Sequence, residues 1–232
     1  MGKTLKAGVA KANITPSVGQ DNMADYLRLV PARGVGNELY ARALVLDDGA
    51  ERVAIVTADI ISFPDSLVSE TRERIEKLTG ISGEKVMLSA SHTHSSPAVN
   101  PWDRPAASYL TELSKKVAGA VYMADQEKQE ALVGCGVGEA HVAVNRWQKT
   151  PTGVQWGPNP DGPMDPAVGV LRVDRRDGRP IAILVNYASH PTILGSDTLL
   201  YSGDYVSYVQ SVVEEVSAGS NVELQEGVIV EK

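Results

Sequence analysis

The sequence predicts an α/β or α+β fold, a single domain with a mixed β-sheet that carries hairpins and is flanked by helices. Three observations lead there. Apolar runs with strand character alternate along the chain with stretches of helical spacing. Two strand pairs are joined by Asp-Gly, at 48–49 and 177–178, a hairpin signal that argues against an all-parallel doubly wound sheet. Aromatic residues make up only 5% of the chain, with a single Phe, so the core falls to Val, Ile, Leu and Ala, which suit sheets covered by helices.

Taken in order, LKAGVAKANI (5–14) alternates and reads as a first strand, stopped by Thr15-Pro16. Residues 17–37 read as loop. ARALVLDD (41–48) and RVAIVTADI (52–60) form the first hairpin. In 65–79, Leu67, Thr71, Ile75 and Leu78 fall on one helical face, with Asp65 as the expected N-cap and Gly80 as the stop. KVMLSAS (85–91) is a buried-strand candidate that runs into His92-Thr93-His94-Ser95-Ser96-Pro97. A helix over 106–127, a strand over 131–144 and a Gly/Pro-rich loop over 150–166 follow. The second hairpin pairs 167–174 with 179–189, and a helix is expected over 203–217. The last residues, VELQEGVIVEK, read as one strand or a frayed tail.

Composition narrows the function. At 232 residues with 43% hydrophobic and 22% charged, the chain is an ordinary globular one, not disordered, collagen-like or coiled-coil. Lys plus Arg are 22 and Asp plus Glu 29, giving 22 − 29 = −7, a poor charge for a nucleic-acid partner. The lone cysteine, Cys135, excludes an internal disulfide framework and a cysteine zinc finger, and reads as a small core residue. No apolar run reaches the ~18–20 residues of a membrane span. The N-terminal segment has early lysines but no apolar h-region, so the expected location is cytoplasmic unless a leader is absent. No internal repeat or linker interrupts the chain.

Chemistry concentrates in four histidines, His92, His94, His141 and His190. In a strand, i and i+2 share a face, so His92 and His94 are expected to face one cleft. His190 also ends a strong strand, and if the two strands are neighbours three imidazoles converge at one sheet edge; imidazole is the commonest protein ligand for zinc. His141 lies within a strand pattern and reads as structural or exposed. Asp59 and Asp204 are possible further ligands, though Asp204 also fits the cap of the helix that follows. Arg146, after Asn145, could meet a developing oxyanion, although a solvent-exposed arginine is the default reading. Trp147 and Trp156 lie in a stretch that could wall a groove. Nucleophile-elbow, H-E-x-x-H and P-loop motifs are absent, and Gly134–Gly138 alternates as a strand rather than a phosphate loop.

AGVAKANITPSVG, LYARALVLDDG, SASHTHSSP, Asn145-Arg146, VLRVD followed by Asp-Gly, and NYASHPTILG occur in that order. Together they resemble the N-terminal catalytic domain of the neutral/alkaline non-lysosomal ceramidases, from about residue 6 to about 210, with 217–232 as a divergent tail. SHTHS and ASHPT are the specific elements. The resemblance implies a zinc-dependent amidase that cleaves the N-acyl bond of a ceramide-like lipid partner to sphingosine and a fatty acid. It makes His92 and His190 zinc ligands, His94 a catalytic histidine and Arg146 a catalytic arginine of the site. In that family the remaining zinc ligands, a Glu and a Tyr, come from later in the chain. Residues 1–232 are thus expected to be part of a catalytic domain, with an inactive fragment as the alternative and self-association through an open sheet edge as a consequence. Another metal hydrolase, such as an amidohydrolase barrel, fits less well, since that fold sets His-x-His on its first strand and needs eight βα units.

Overall fold

The structure, a computed structural model, describes residues 4–24, 28–218 and 228–231. Its strands are β1 (Lys6–Asn13), β2 (Gly34–Val35), β3 (Tyr40–Asp47), β4 (Arg52–Ala58), β5 (Val86–Ala90), β6 (Gln129–Glu139), β7 (Asn145–Thr150), β8 (Gly153–Asn159), β9 (Ala167–Arg175), β10 (Pro180–Tyr187), β11 (Leu200–Tyr201) and β12 (Val228–Glu231). The helices are α1 (Asp65–Thr79), α2 (Ala107–Gln126) and α3 (Tyr205–Ala218). Among these helices none is long and apolar enough to cross a membrane.

Eight strands form one mixed sheet in the order β12-β10-β9-β6-β1-β3-β4-β5. β4–β5 and β10–β12 pair in parallel, the other neighbours antiparallel, as the α+β expectation requires. Both Asp-Gly hairpins form, with Gly49 at φ 82° and Gly178 at φ 85°, the left-handed geometry that a glycine adopts without strain.

The sheet is held at its middle by little. β1 meets β6 through two ladder pairs, Lys6↔Glu130 and Ala7↔Gln129, with Ala131 N donating to the Leu5 carbonyl at 2.9 Å beside them. There it bends, and the β6-β9-β10-β12 half stacks on the β1-β3-β4-β5 half. Ala7, Val9, Leu44 and Leu46 face Val173, Ala182 and Leu184 between the two halves. The period of two then sends Ala43, Val45, Ala54 and Val56 to the opposite face, where they meet Leu67 and Ile75 of α1 and Leu113, Val117 and Val121 of α2. On the far side, Val206 and Val209 of α3 cover Val185 of β10. The result is four layers, helix, half-sheet, half-sheet, helix.

Close packing of α2 on β1 relies on Gly8, whose Cβ, if present, would sit 2.0 Å from the Ala124 carbonyl oxygen and 2.9 Å from the Lys128 nitrogen. Ion pairs fasten the same junction: Lys128 Nζ lies 2.7 Å from Asp125 and 2.8 Å from Asp47, and Arg52 lies 3.0 Å from Asp125. The Lys128 ammonium is the main reason the Asp47 carboxyl is held below its ordinary range.

Several local expectations change. Pro64, not Asp65, takes the N-cap of α1, so Asp65 becomes the first helical residue beside the positive end of the helix dipole. Leu78 is 52% exposed because α1 turns its Leu67–Thr71–Ile75 stripe to the core, and Leu78 lies off that stripe. The strand expected over 131–144 ends at Glu139. The stretch read as loop over 150–166 begins inside the β7–β8 hairpin, held by the cross-strand pair Trp147↔Trp156 and turned at Gly153, φ 128°. Cys135 is exposed rather than core, since β6 beyond Ala131 has no layer above it among the described residues. Residues 228–231 form a strand at the sheet edge; the rest of the tail lies outside the described residues.

Candidate metal centre

The site forms where β4 and β5 end together. Ala58 closes the parallel ladder opposite Ala90, and the next residues extend it: Ser91 N donates to the Ala58 carbonyl at 2.9 Å and His92 N to the Ile60 carbonyl at 3.0 Å. His92 then turns left-handed, φ 64°. The two histidines of His-x-His therefore meet through a turn and not through strand alternation. Their rings lie 5.3 Å apart at 83°, nearly perpendicular.

His190 arrives from the other half of the sheet, after β10. The condition the sequence reading set, that β5 and β10 be neighbours, is not met: they stand in opposite halves, and the stacking of those halves brings their ends together. The His190 ring centroid lies 4.9 Å from that of His92 and 4.8 Å from that of His94. One ring nitrogen from each of the three lies within 4.8 Å of the others.

The donors are oriented from behind. His92 Nδ1 donates to the Ile61 carbonyl at 2.6 Å, which fixes the tautomer and leaves the Nε2 lone pair outward. His94 and His190 meet Nε2 to Nε2 at 2.8 Å, a hydrogen bond in which one nitrogen carries the proton. Two ligands of one tetrahedral zinc would stand about 3.3 Å apart at Zn–N distances of ~2.0–2.1 Å. The His94–His190 contact is thus closer than two ligands of one ion would stand, and is a hydrogen bond here. The donor set suits zinc, which accepts imidazole nitrogen and uses three protein ligands plus an open position in catalytic sites.

The turn 92–97 is pinned across the layer boundary. Thr93 Oγ1 donates to the Ser202 carbonyl at 2.7 Å, and Ser202 N to the Ser95 carbonyl at 2.8 Å. The buried Arg28 guanidinium donates to the carbonyls of Ala24, His94 and Thr198, joining the segments that carry His94 and His190. Tyr205 Oη donates to the Ser189 carbonyl, next to His190, at 2.8 Å. Burial pushes the Tyr205 phenol above its ordinary range, so it stays protonated and able to donate at neutral pH. Tyr205→Phe should remove about 0.5–1.5 kcal/mol of stability. In a chain of this size that lowers the melting midpoint by a few degrees; an unchanged midpoint in differential scanning calorimetry would show that the bond contributes nothing.

Asp59 and Asp204 do not join the cluster. Asp59 Oδ2 accepts from Tyr40 N at 2.9 Å and from Arg42 Nη1 at 3.1 Å. Asp204 accepts from Leu194 N at 2.8 Å and from Tyr205 N at 2.6 Å, serving the start of α3. His141 is exposed, 3.6 Å from Glu139. Arg146 stands on the wall of a cleft of about 540 Å³ that His190 also lines, its guanidinium 4.9 Å over the Trp156 ring. Beside it, Val168, Val185, Tyr205 and Val209 line an apolar groove of about 360 Å³ that shares Val142, Ser189 and Ile193 with the cleft. Sequence reading missed Arg28, which lay in an apparent loop, and the Ile61 carbonyl, which leaves no trace in residue type.

The family model described as neutral/alkaline non-lysosomal ceramidase, N-terminal, matches residues 5–231. The fold superposes on a ceramidase structure complexed with C2 at TM-score 0.81 and 21% identity, over 98% of this chain and 37% of that one. It superposes equally, at TM-score 0.81 and 22% identity, on the neutral ceramidase of Pseudomonas aeruginosa, over 98% of this chain and 38% of that one. The chain thus spans somewhat over a third of the length of these structures.

Proposed function

The chain belongs to the neutral/alkaline non-lysosomal ceramidase family, and from that premise we propose that it forms part of a zinc-dependent amidase site acting on N-acyl lipids of the ceramide type. The convergence of three imidazole nitrogens within 4.8 Å is the observation that carries this reading. His92 and His190 would hold the metal, each through one ring nitrogen. Zinc, when bound, supplies Lewis-acid polarisation of the amide carbonyl and a water whose pKa is lowered to ~7.

The rest falls to side chains. A ring nitrogen has one lone pair, so His190 Nε2 cannot both ligate the metal and accept from His94; with His190 committed to the metal, the 2.8 Å contact would part and leave the proton on His94 Nε2. That ring is then the donor beside the reacting amide: as the C–N bond breaks, the departing amine needs a proton, and His94 is placed to give it. Water contributes the hydroxyl that ends on the fatty acid, and its other proton replaces the one that His94 gives to the amine. Arg146, steadied on Trp156, offers a guanidinium to the carbonyl oxygen as negative charge develops there. The adjoining apolar groove has the volume and lining for an alkyl chain.

The test is direct. Purified chain supplied with zinc should retain about one ion after dialysis and release fatty acid from a fluorescent N-acyl sphingosine. Zinc bound without turnover would assign this chain the metal-holding part of the site alone. Absence of bound zinc would overturn the reading.

A further inference from the structure

The buried pair Arg42–Asp59 is a puzzle of energetics. The side chains are only 6% and 1% exposed, and a buried ion pair seldom stabilises a fold more than apolar packing of the same volume would. Its position suggests what it is kept for. Asp59 is the first residue beyond β4, and the two residues after it supply both carbonyls that grip His92: Ile60 O takes the main-chain nitrogen at 3.0 Å, Ile61 O takes ring Nδ1 at 2.6 Å.

That short segment has left the regular ladder, so something else must fix it. Asp59 N donates to the Tyr40 carbonyl at 2.9 Å, and Asp59 Oδ2 accepts Tyr40 N at 2.9 Å and Arg42 Nη1 at 3.1 Å. Arg42 is itself held over the Tyr40 ring, 5.0 Å from its centroid. At the far end, Ser62 Oγ donates to Asn100 Oδ1 at 2.7 Å. The segment is therefore clamped before and after the clasp.

We infer that Arg42 and Asp59 are positioning residues for the metal centre: their ion pair sets the 59–61 segment where its two successive carbonyls hold His92 left-handed with Nε2 turned outward. The inference rests on the reading of the histidines as metal ligands. It adds that the quality of the His92 donor is set on β3, two bonds removed from the site. Partners that orient a ligating histidine typically change metal affinity by about 10–100-fold when lost.

Arg42→Met combined with Asp59→Leu removes both charges together and leaves no lone charge in the core. Arg42→Lys is the milder second variant, since it keeps a charge but loses the guanidinium geometry. Asp125→Asn serves as control, breaking the Arg52–Asp125 pair at the other end of β4. Two readouts are taken on the full chain: Co(II) affinity against a competing chelator, and the His92 Nδ1–H resonance in the ¹⁵N-labelled, metal-free protein. The double variant is expected to weaken Co(II) binding about 10–100-fold and to lose the slowly exchanging Nδ1–H signal. Arg42→Lys should shift both readouts the same way by less, and Asp125→Asn should lower the melting midpoint and leave both in place. Parent-like affinity and a persisting Nδ1–H signal in the double variant would overturn the inference, as would an equal loss in Asp125→Asn. If the parent chain binds no Co(II), the metal reading fails by itself. The Nδ1–H signal then decides alone whether Arg42 and Asp59 hold the His92 ring.

Discussion

His92→Ala and His190→Ala should each reduce retained zinc from about one ion per chain to under about a tenth, and hydrolysis of an N-acyl lipid by at least ~10³-fold. This chain would supply two of the ligands, so losing either leaves a single imidazole, too few to hold the ion against dialysis. The effect must exceed the ~10–100-fold typical of the groups behind a ligand. His94→Ala is expected to behave differently. It removes the proton donor and leaves His92 and His190 in place, so zinc should remain while turnover falls by about 10²–10⁴-fold. Elemental analysis after dialysis, paired with initial rates, separates the two patterns. Full zinc in His92→Ala would sink the ligand assignment. A stability signature accompanies it. His92 is a non-glycine residue at φ 64°, a conformation that costs an L-residue roughly 1–2 kcal/mol. His92→Gly should therefore be more stable than His92→Ala while being equally unable to hold metal.

Gly8→Ala is expected to be the most damaging alanine substitution among the described glycines. An added Cβ would fall 2.0 Å from the Ala124 carbonyl oxygen and 2.9 Å from the Lys128 nitrogen. Both neighbours are main-chain atoms, at the end of α2 and just beyond it, so no side-chain rotation makes room. Relief requires moving α2 off β1, and α2 carries Leu113, Val117 and Val121 into the main core. Overpacking typically costs 1–3 kcal/mol, occasionally more, and this site should reach at least about 3 kcal/mol. For a chain of this size that is a drop of about 6–12 °C in melting midpoint. Gly134→Ala is the control: it lies in a strand too, with nothing within 4 Å of the new carbon, and should be close to neutral. Equal midpoints for the two variants would refute the close approach of α2 to β1.

Much of the fold was legible because its signals are local. Asp48-Gly49 and Asp177-Gly178 announce hairpins through backbone geometry that few other residues accept, and both formed. His92, His94 and His190 were legible as candidates because histidine is scarce here and the three sit at strand ends. What was hidden is long-range. Nothing in residues 129–139 says that β6 would meet β1 through two ladder pairs and let the sheet fold back on itself. Without that bend, β5 and β10 would be far apart and the histidines would never meet. The β7–β8 hairpin was obscured by its prolines and glycines, which suggested loop, although Trp147 and Trp156 pair directly across it. Asp59 was legible as an acid at a strand end, but its commitment to Arg42 depends on pairing between strands.

The bend between β1 and β6 has a further meaning for the thermodynamics of the chain. His92 and His94 belong to one half of the sheet and His190 to the other, so the constellation exists only while the halves are stacked. Each half contains one tight hairpin, β3–β4 in one and β9–β10 in the other, and what joins the halves is mostly apolar surface rather than continuous main-chain pairing. Any ion held by histidines of both halves binds the stacked state alone. Its binding free energy is then docking free energy, about 2.7 kcal/mol at a hundredfold excess over its dissociation constant. By the same linkage, mutations buried between Leu44 and Leu184, far from any imidazole, must weaken the apparent affinity of the centre wherever they let the halves part.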